Sequence, residues 1–193
     1  MSATNAPFGL RPAFHPSGLD RAQALANGIA TGYCSNILKG QPVLYNSSAG
    51  TIAAVTTTGA WSGAFAGVEW TDTTGRRRVS NYWPANTSGT AIVAYFYNDQ
   101  NIVYEIQTDA TITQASIGNE YNFTAANLAN GSTTTGLSQC TLGVSTAVGN
   151  TGQGQMRVVD IGPYVDNAWG DAYVVVRVVN SQSQFFGSVT AFA

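Results

Sequence analysis

Charge is what this sequence has least of. Only 9% of its 193 residues are charged, against about a quarter in an average domain, and the formal net charge is −2. Lys39 is the only lysine and His15 the only histidine. A partner held through phosphates needs clustered positive charge, so nucleic acid is not an expected ligand. His15 stands between Phe14 and Pro16 in a proline-rich stretch. That is a poor place for a general base, which must be held rigidly, and the residue reads as a polar contact. Cys34 and Cys140 are too far apart for a Cys-x-x-Cys pair, so neither a zinc site nor a thioredoxin-like motif is indicated. They read as two buried thiols; a disulfide between them is open on sequence grounds but would be surprising after assembly in a reducing cytoplasm. No window offers the roughly 20 apolar residues of a membrane helix, and no basic N-terminal region leads into an apolar segment and cleavage site. The expectation is a protein that acts where it is made, without a membrane.

Catalytic signatures are equally thin. There is no Gly-x-Ser-x-Gly elbow, and the single histidine would have to serve any triad. Gly149-Asn150-Thr151-Gly152-Gln153-Gly154 lacks the Lys-Ser/Thr pair and following helix of a phosphate loop, and reads as a flexible connection. Glu69, Asp72, Asp99, Glu105, Asp109, Glu120, Asp160, Asp166 and Asp171 offer many carboxylate pairs for glycosidic hydrolysis, but no spacing selects one. Asp99 with Asn101, and Asp166 with Asn167, follow no calcium-binding repeat, and turn formation accounts for them. The sequence predicts no enzyme, no cofactor and no metal.

What is present is the material of a folded β protein. Hydrophobic residues make up 44% of the chain, with four Trp, nine Tyr and eight Phe, ample area to bury. The length suits one full domain plus an extended arm. Residues 1–28 are read as the arm, because Pro7, Pro12 and Pro16 remove backbone donors and hold the chain extended. No regular secondary structure is expected for residues 1–19, and removal of residues 1–18 should leave the domain folded. Phe8, Leu10 and Phe14 fall at even intervals, giving the arm an apolar side to bury on a neighbour.

Residues 29–193 form the single β domain, with a possible sub-boundary near 110–120. Strands are predicted at 29–34, 42–45, 51–56, 65–71, 79–83, 90–97, 102–107, 120–123, 140–144, 156–161 and 172–180. The fold class is all-β, an antiparallel barrel or sandwich with an extended N-terminal arm and long loops rich in Gly, Thr, Ser and Asn. Asn98-Asp99-Gln100-Asn101 between two strong strands predicts a hairpin over 90–107. In 102–107 the even positions should pack and the odd ones meet solvent, while the valine-rich strand ending at Asn180 should lie centrally or against a partner. Short helices are predicted at 19–26, capped by Ser17 or Asp20, and at 124–129, capped by Thr124.

Arg76-Arg77-Arg78, after Asp72-Thr73-Thr74-Gly75, reads as a solvated hairpin edge or a dock for an acidic neighbour. Among the aromatics, Trp61, Trp70, Tyr82-Trp83, Tyr95-Phe96-Tyr97 and Phe185-Phe186 stand out. Adjacent residues of a strand point to opposite faces, so one of each such pair is exposed, buried under a loop, or engaged with another chain.

Asn5-Ala6-Pro7-Phe8-Gly9-Leu10-Arg11-Pro12, Gly40-Gln41-Pro42-Val43, Gly63-Ala64-Phe65-Ala66-Gly67-Val68, Tyr82-Trp83-Pro84-Ala85 and Tyr104-Glu105-Ile106-Gln107 together resemble the head decoration (cement) proteins of tailed bacteriophages, over roughly residues 5 to 110. The resemblance implies a β-rich virion protein assembled in the host cytoplasm, bound to the major capsid protein on the outside of an expanded head, as a homo-oligomer, often a trimer. The implied role is stabilisation of capsomer joints. Pro7, Phe8, Leu10, Arg11, Phe14, Arg76, Arg77 and Arg78 are the candidate capsid contacts. The rival reading is a carbohydrate-binding or host-adhesion module, in which exposed Tyr and Trp beside Asn and Gln form a sugar platform.

Overall fold

β-branched and aromatic runs become strands wherever one or both faces can be buried. The computed structural model describes residues 4–18, 21–149 and 152–185. Its strands, in chain order, are β1 (Arg11–Phe14), β2 (Gln23–Ala26), β3 (Pro42–Asn46), β4 (Thr51–Ala54), β5 (Gly63–Thr71), β6 (Arg77–Ser80), β7 (Thr90–Tyr97), β8 (Val103–Gln107), β9 (Glu120–Tyr121), β10 (Gly131–Ser132), β11 (Leu137–Ser138), β12 (Ala147–Val148), β13 (Met156–Ile161) and β14 (Val175–Asn180). The first sheet runs β1-β8-β14-β13-β9-β12 and the second β2-β7-β5-β3-β4, with β6 on the far half of β5. All named pairings are antiparallel, neither sheet closes on itself, and the fold is sandwich-like. Strands β10 and β11 form a separate two-stranded ribbon. The one α-helix among the described residues, α1 (Ala125–Ala129), begins where Thr124 accepts the Asn127 amide, as the sequence predicts.

Two apolar clusters hold the layers. In the first, Tyr104, Ile106, Met156, Val158, Val176 and Val178 project from the first sheet toward Ala64, Leu44 and Tyr97 of the second. Trp61 sits fully buried among them, its ring 5.8 Å from Tyr104 and 5.6 Å from Phe123. Its indole N–H donates to the Gln155 carbonyl at 2.7 Å, so the polar edge of the ring is satisfied. The second cluster lies on the opposite side of the second sheet, where Phe65, Val68, Trp70, Ile92, Ala94 and Phe96 are covered by Ile29, Ile37 and Trp83 from irregular segments. The sheet curls around this cluster until the Ile52 N–H reaches the Gly28 carbonyl at 2.7 Å. Close approach dictates Gly63, where a Cβ would stand 1.7 Å from the Tyr97 carbonyl oxygen.

Several expectations are corrected. Residues 90–107 are not a hairpin: β7 pairs with β5 and β2, whereas β8 pairs with β1 and β14. The chain therefore crosses between sheets at residues 98–102, because the edges a hairpin would need are already occupied. The segment expected to lack regular structure supplies β1, paired with β8, and the rest of the expected arm supplies β2, paired with β7. Pro12 is tolerated because β1 is an edge strand. Leu10 is 2% exposed and belongs to the first cluster.

In place of a helix at 19–26 there is strand β2; Leu19 and Asp20 lie outside the described residues. Residues 29–34 are irregular, since Ile29 is used as a plug. Within 140–144 a single bridge, Thr108 to Leu142, replaces a strand. Cys34 is exposed, not buried, and both cysteines are free; burial pushes the Cys140 thiol up to about 12. Residues on either side of 110–120 share the first sheet.

The β1–β2 connection also passes from the first sheet to the second. It runs beside the β7–β8 crossing, because each of its strands pairs with a strand of the other connection. His15 Nε2 lies 3.2 Å from Asp99 Oδ1, bringing the two crossings together.

Since Leu10 and β1 are structural, Leu10→Ala should cost about 2–5 kcal/mol in urea unfolding. Deleting residues 1–14 should abolish the cooperative thermal transition followed by circular dichroism. A truncated chain that melts like the full-length one would show that the N-terminal strand is dispensable.

Candidate functional site

Residues directly opposed across antiparallel strands share a face. The registers Arg11 to Glu105, Glu105 to Arg177 and Arg177 to Asp160 therefore lay four alternating charges in one row across β1, β8, β14 and β13, on the side of the first sheet away from its cluster. Glu105 is only 5% exposed. Its Oε2 accepts from Arg11 Nη2 at 2.6 Å and from the Tyr164 hydroxyl at 2.6 Å, and Arg177 Nε stands 3.5 Å from Oε1. Arg11 also donates to the Tyr164 oxygen.

Burial pushes the Glu105 carboxyl up, but the Tyr164 hydrogen bond and the two guanidinium groups outweigh it and hold the acid below its ordinary range. Burial and the Glu105 bond raise the Tyr164 phenol. Aromatic faces extend the row: the Arg11 guanidinium lies 4.6 Å from the Phe8 ring centre and Arg177 lies 5.3 Å from that of Phe14.

The N-terminal segment is stitched over this face by Gln107, which is 2% exposed. Its Oε1 accepts the Ala6 amide and its Nε2 donates to the Thr4 carbonyl, both at 2.9 Å. The segment then turns at Gly9, whose φ of +74° suits glycine, and a Cβ there would stand 2.8 Å from the Gly40 carbonyl oxygen. Tyr164 is presented by a loop closed by buried Asn167, whose Nδ2 donates to the Gly162 and Val175 carbonyls and whose Oδ1 accepts the Val175 amide. The odd positions of 102–107 thus face not solvent but the folded-back N-terminal residues. Beside the strip, Phe8, Leu10, Pro12, Phe65, Tyr97 and Leu137 line an apolar groove of 370 Å³ with Arg11 and Lys39 at its sides.

A second buried acid is likewise engaged. Fully buried Glu120 accepts from Arg157 Nη2 at 2.5 Å and from the Gly154 amide at 2.6 Å. Ser17, His15 and Asp99 come together, but His15 Nδ1 already accepts the Ser17 amide at 3.0 Å as well as facing its hydroxyl at 2.5 Å. That nitrogen is occupied by a turn on the surface, which does not suit a general base. A second groove, of 630 Å³, has a neutral lining that includes Ser35, Asn36, Gln41, Thr56 and Leu128, with Cys34 at its edge. No group of three or more metal-ligating side chains occurs among the described residues.

The candidate contact residues divide into two places. Pro7 and Phe8 are half-buried on the strip, Arg11 has half its side chain exposed, Phe14 is 43% exposed, and Leu10 is withdrawn into the core. Arg76, Arg77 and Arg78 are exposed on the β5–β6 edge, where Arg78 pairs with Asp72 at 2.7 Å and Arg77 with Glu69 at 3.1 Å. Hydrogen bonds from Thr74, Arg78 and Arg76 hold the Asp72 carboxyl far below its usual range.

Sequence reading missed Glu105, Tyr164 and Arg177 as one cluster. The available signal was Arg177 inside a valine run: a charge in a strand covered on both faces requires a partner. Trp61 and Trp83 are fully buried and Trp70 is 8% exposed, while Phe185 is exposed with its ring 5.2 Å from Tyr45. Phe186 lies outside the described residues.

Glu105 has a depressed folded pKa, so its stabilisation is complete above the unfolded value of about 4.3 and is lost as pH falls through the folded value. Stability measured against pH should therefore drop on the acid side, and Glu105→Gln should flatten that limb. Arg11→Ala should cost about 1–2 kcal/mol near neutrality, discounted for the exposed half of its side chain, and less in acid. An unaltered acid limb in Glu105→Gln would contradict the assignment. No family model, no curated protein and no solved structure matches this chain.

Proposed function

We propose that the chain is a non-enzymatic structural protein of a tailed-phage head, bound to the major capsid protein on the outer surface and securing capsomer contacts. The observation that carries this reading is the use made of the motif that resembles decoration proteins. Residues 5–12 build a surface strip and adjoining groove instead of surrounding a reactive centre, and the buried acids Glu105 and Glu120 are spent on structural partners. Phe8, Arg11 and Phe14 are the contacts this strip offers, with Arg76, Arg77 and Arg78 a separate basic edge. Leu10 has no part in docking, since it is already buried. The sugar-platform reading has less support, because three of the four tryptophans lie in the two clusters.

Contacts made mainly by neutral and apolar groups are little affected by salt. Purified protein should co-sediment with expanded heads stripped of the endogenous copy, to the same extent in low and high salt. Phe14→Asp should weaken that binding while leaving the melting temperature within a few degrees. Release by high salt would shift the anchor to Arg76, Arg77 and Arg78. Binding to isolated surface glycans but not to heads would replace the proposal with the adhesion reading.

A further inference from the structure

A groove binds an apolar side chain with least opposition when it is formed before the side chain arrives, and the groove beside the strip is held open by backbone bonds between distant segments. The Leu10 N–H donates to the Gly40 carbonyl and the Gly40 N–H to the Phe65 carbonyl, both at 2.8 Å. On the other side the Lys39 N–H donates to the Gly136 carbonyl at 3.0 Å and the Lys39 carbonyl accepts the Ser138 N–H at 2.9 Å, which fixes Leu137 beside Lys39. Leu10 and Phe65 belong to the core, but Phe8 and Tyr97 are only half-buried and Leu137 is 42% exposed. The groove thus keeps apolar surface that the chain itself leaves in water.

Its charges are of one sign. Arg11 and Lys39 line it, and no acid among the described residues does. The Arg11 charge is met by Glu105 at 2.6 Å. Lys39 is exposed and enters none of the ion pairs between described residues. In a chain with so little charge, the only lysine stands uncompensated beside an apolar groove.

We infer that this groove receives an extended segment of the capsid protein in which an aliphatic side chain is flanked by a carboxylate, the side chain entering the groove and the carboxylate meeting Lys39. This assignment of the partner's chemistry rests on the capsid reading above. A basic segment would be repelled by Arg11 and Lys39, and a neutral polar one would leave the apolar lining unmatched. One side chain and one exposed ion pair make a weak site on their own; the ion pair adds little affinity and selects which segment fits.

The test is a titration of the isotope-labelled full chain, followed by its amide resonances, with the peptide acetyl-Gly-Asp-Leu-Asp-Gly-amide and with a neutral counterpart in which asparagine replaces both aspartates. Shifts at the Lys39, Gly40 and Leu137 amides are expected, with a dissociation constant of about 1 mM for the acidic peptide and binding about three- to fivefold weaker for the neutral one. Lys39→Gln should remove that difference, and Leu137→Ser should weaken both peptides. Both side chains are exposed, so the melting temperature should be retained. On stripped heads each variant should raise the half-saturating concentration by a similar factor, while an ion pair in direct contact, half-enclosed by the groove, is screened little by salt. Equal binding of the two peptides, shifts confined to other residues, or head binding indifferent to both variants would overturn the inference and leave the capsid reading in place. Selective binding of the acidic peptide at the groove by a protein that never sediments with heads would uphold the chemistry of the groove and remove the head as its source.

Discussion

A carboxylate with 5% exposure in the middle of a sheet is the constraint on which the rest of this structure depends. Left alone, Glu105 would cost several kcal/mol in lost hydration. Its compensation comes from three distant parts of the chain: Arg11 on β1, Arg177 on β14 and Tyr164 from the loop after β13. Each donor imposes a condition. Arg11 requires the N-terminal residues to return across β8, Arg177 requires β14 to lie next to β8 in this register, and Tyr164 requires the closed turn that Asn167 builds. The face of the first sheet that alternation assigns to solvent is covered as a result, and Gln107 completes the cover by bonding the backbone at Thr4 and Ala6.

How far the fold was legible in the sequence follows from whether the deciding interactions are local. Strands β7 and β13 were readable at both ends, since long runs of β-branched and aromatic residues state their own limits. The α1 cap at Thr124 was also local. The relation between β7 and β8 was not: a four-residue polar link fits a hairpin as well as a step between layers, and only the distant partners β1, β2, β5 and β14 distinguish them. Strands of two residues, β9 to β12, carry no periodicity at all. Proline misled for a different reason. It forbids the middle of a sheet but not its rim, so the composition of residues 7–16 excluded a central strand and left an edge strand open.

The candidate site was legible in part. Phe8, Arg11 and Phe14 were marked as contacts from their spacing and the motif around them, and all three lie on one surface strip. Their connection to Arg177 and Glu105 depends on register across three strands, which no spacing along the chain encodes. The same economy of charge (18 ionised side chains in all) explains why those present are mostly committed. With so few, a buried acid cannot draw on chance neighbours, and Arg11, Arg157 and Arg177 are each placed against one.

The paired crossings at His15 and Asp99 bear on how the molecule comes apart. The first sheet contributes β1 and β8 to the two connections and the second contributes β2 and β7, so the layers are joined twice at one corner by segments that are hydrogen-bonded to each other on both sides. The β1–β8 ladder lies within the first sheet and the β2–β7 ladder within the second, so both would survive a parting of the layers on the side away from this corner. The doubly joined corner is therefore the line about which the layers would open, and the apolar cluster between the sheets is what holds them shut.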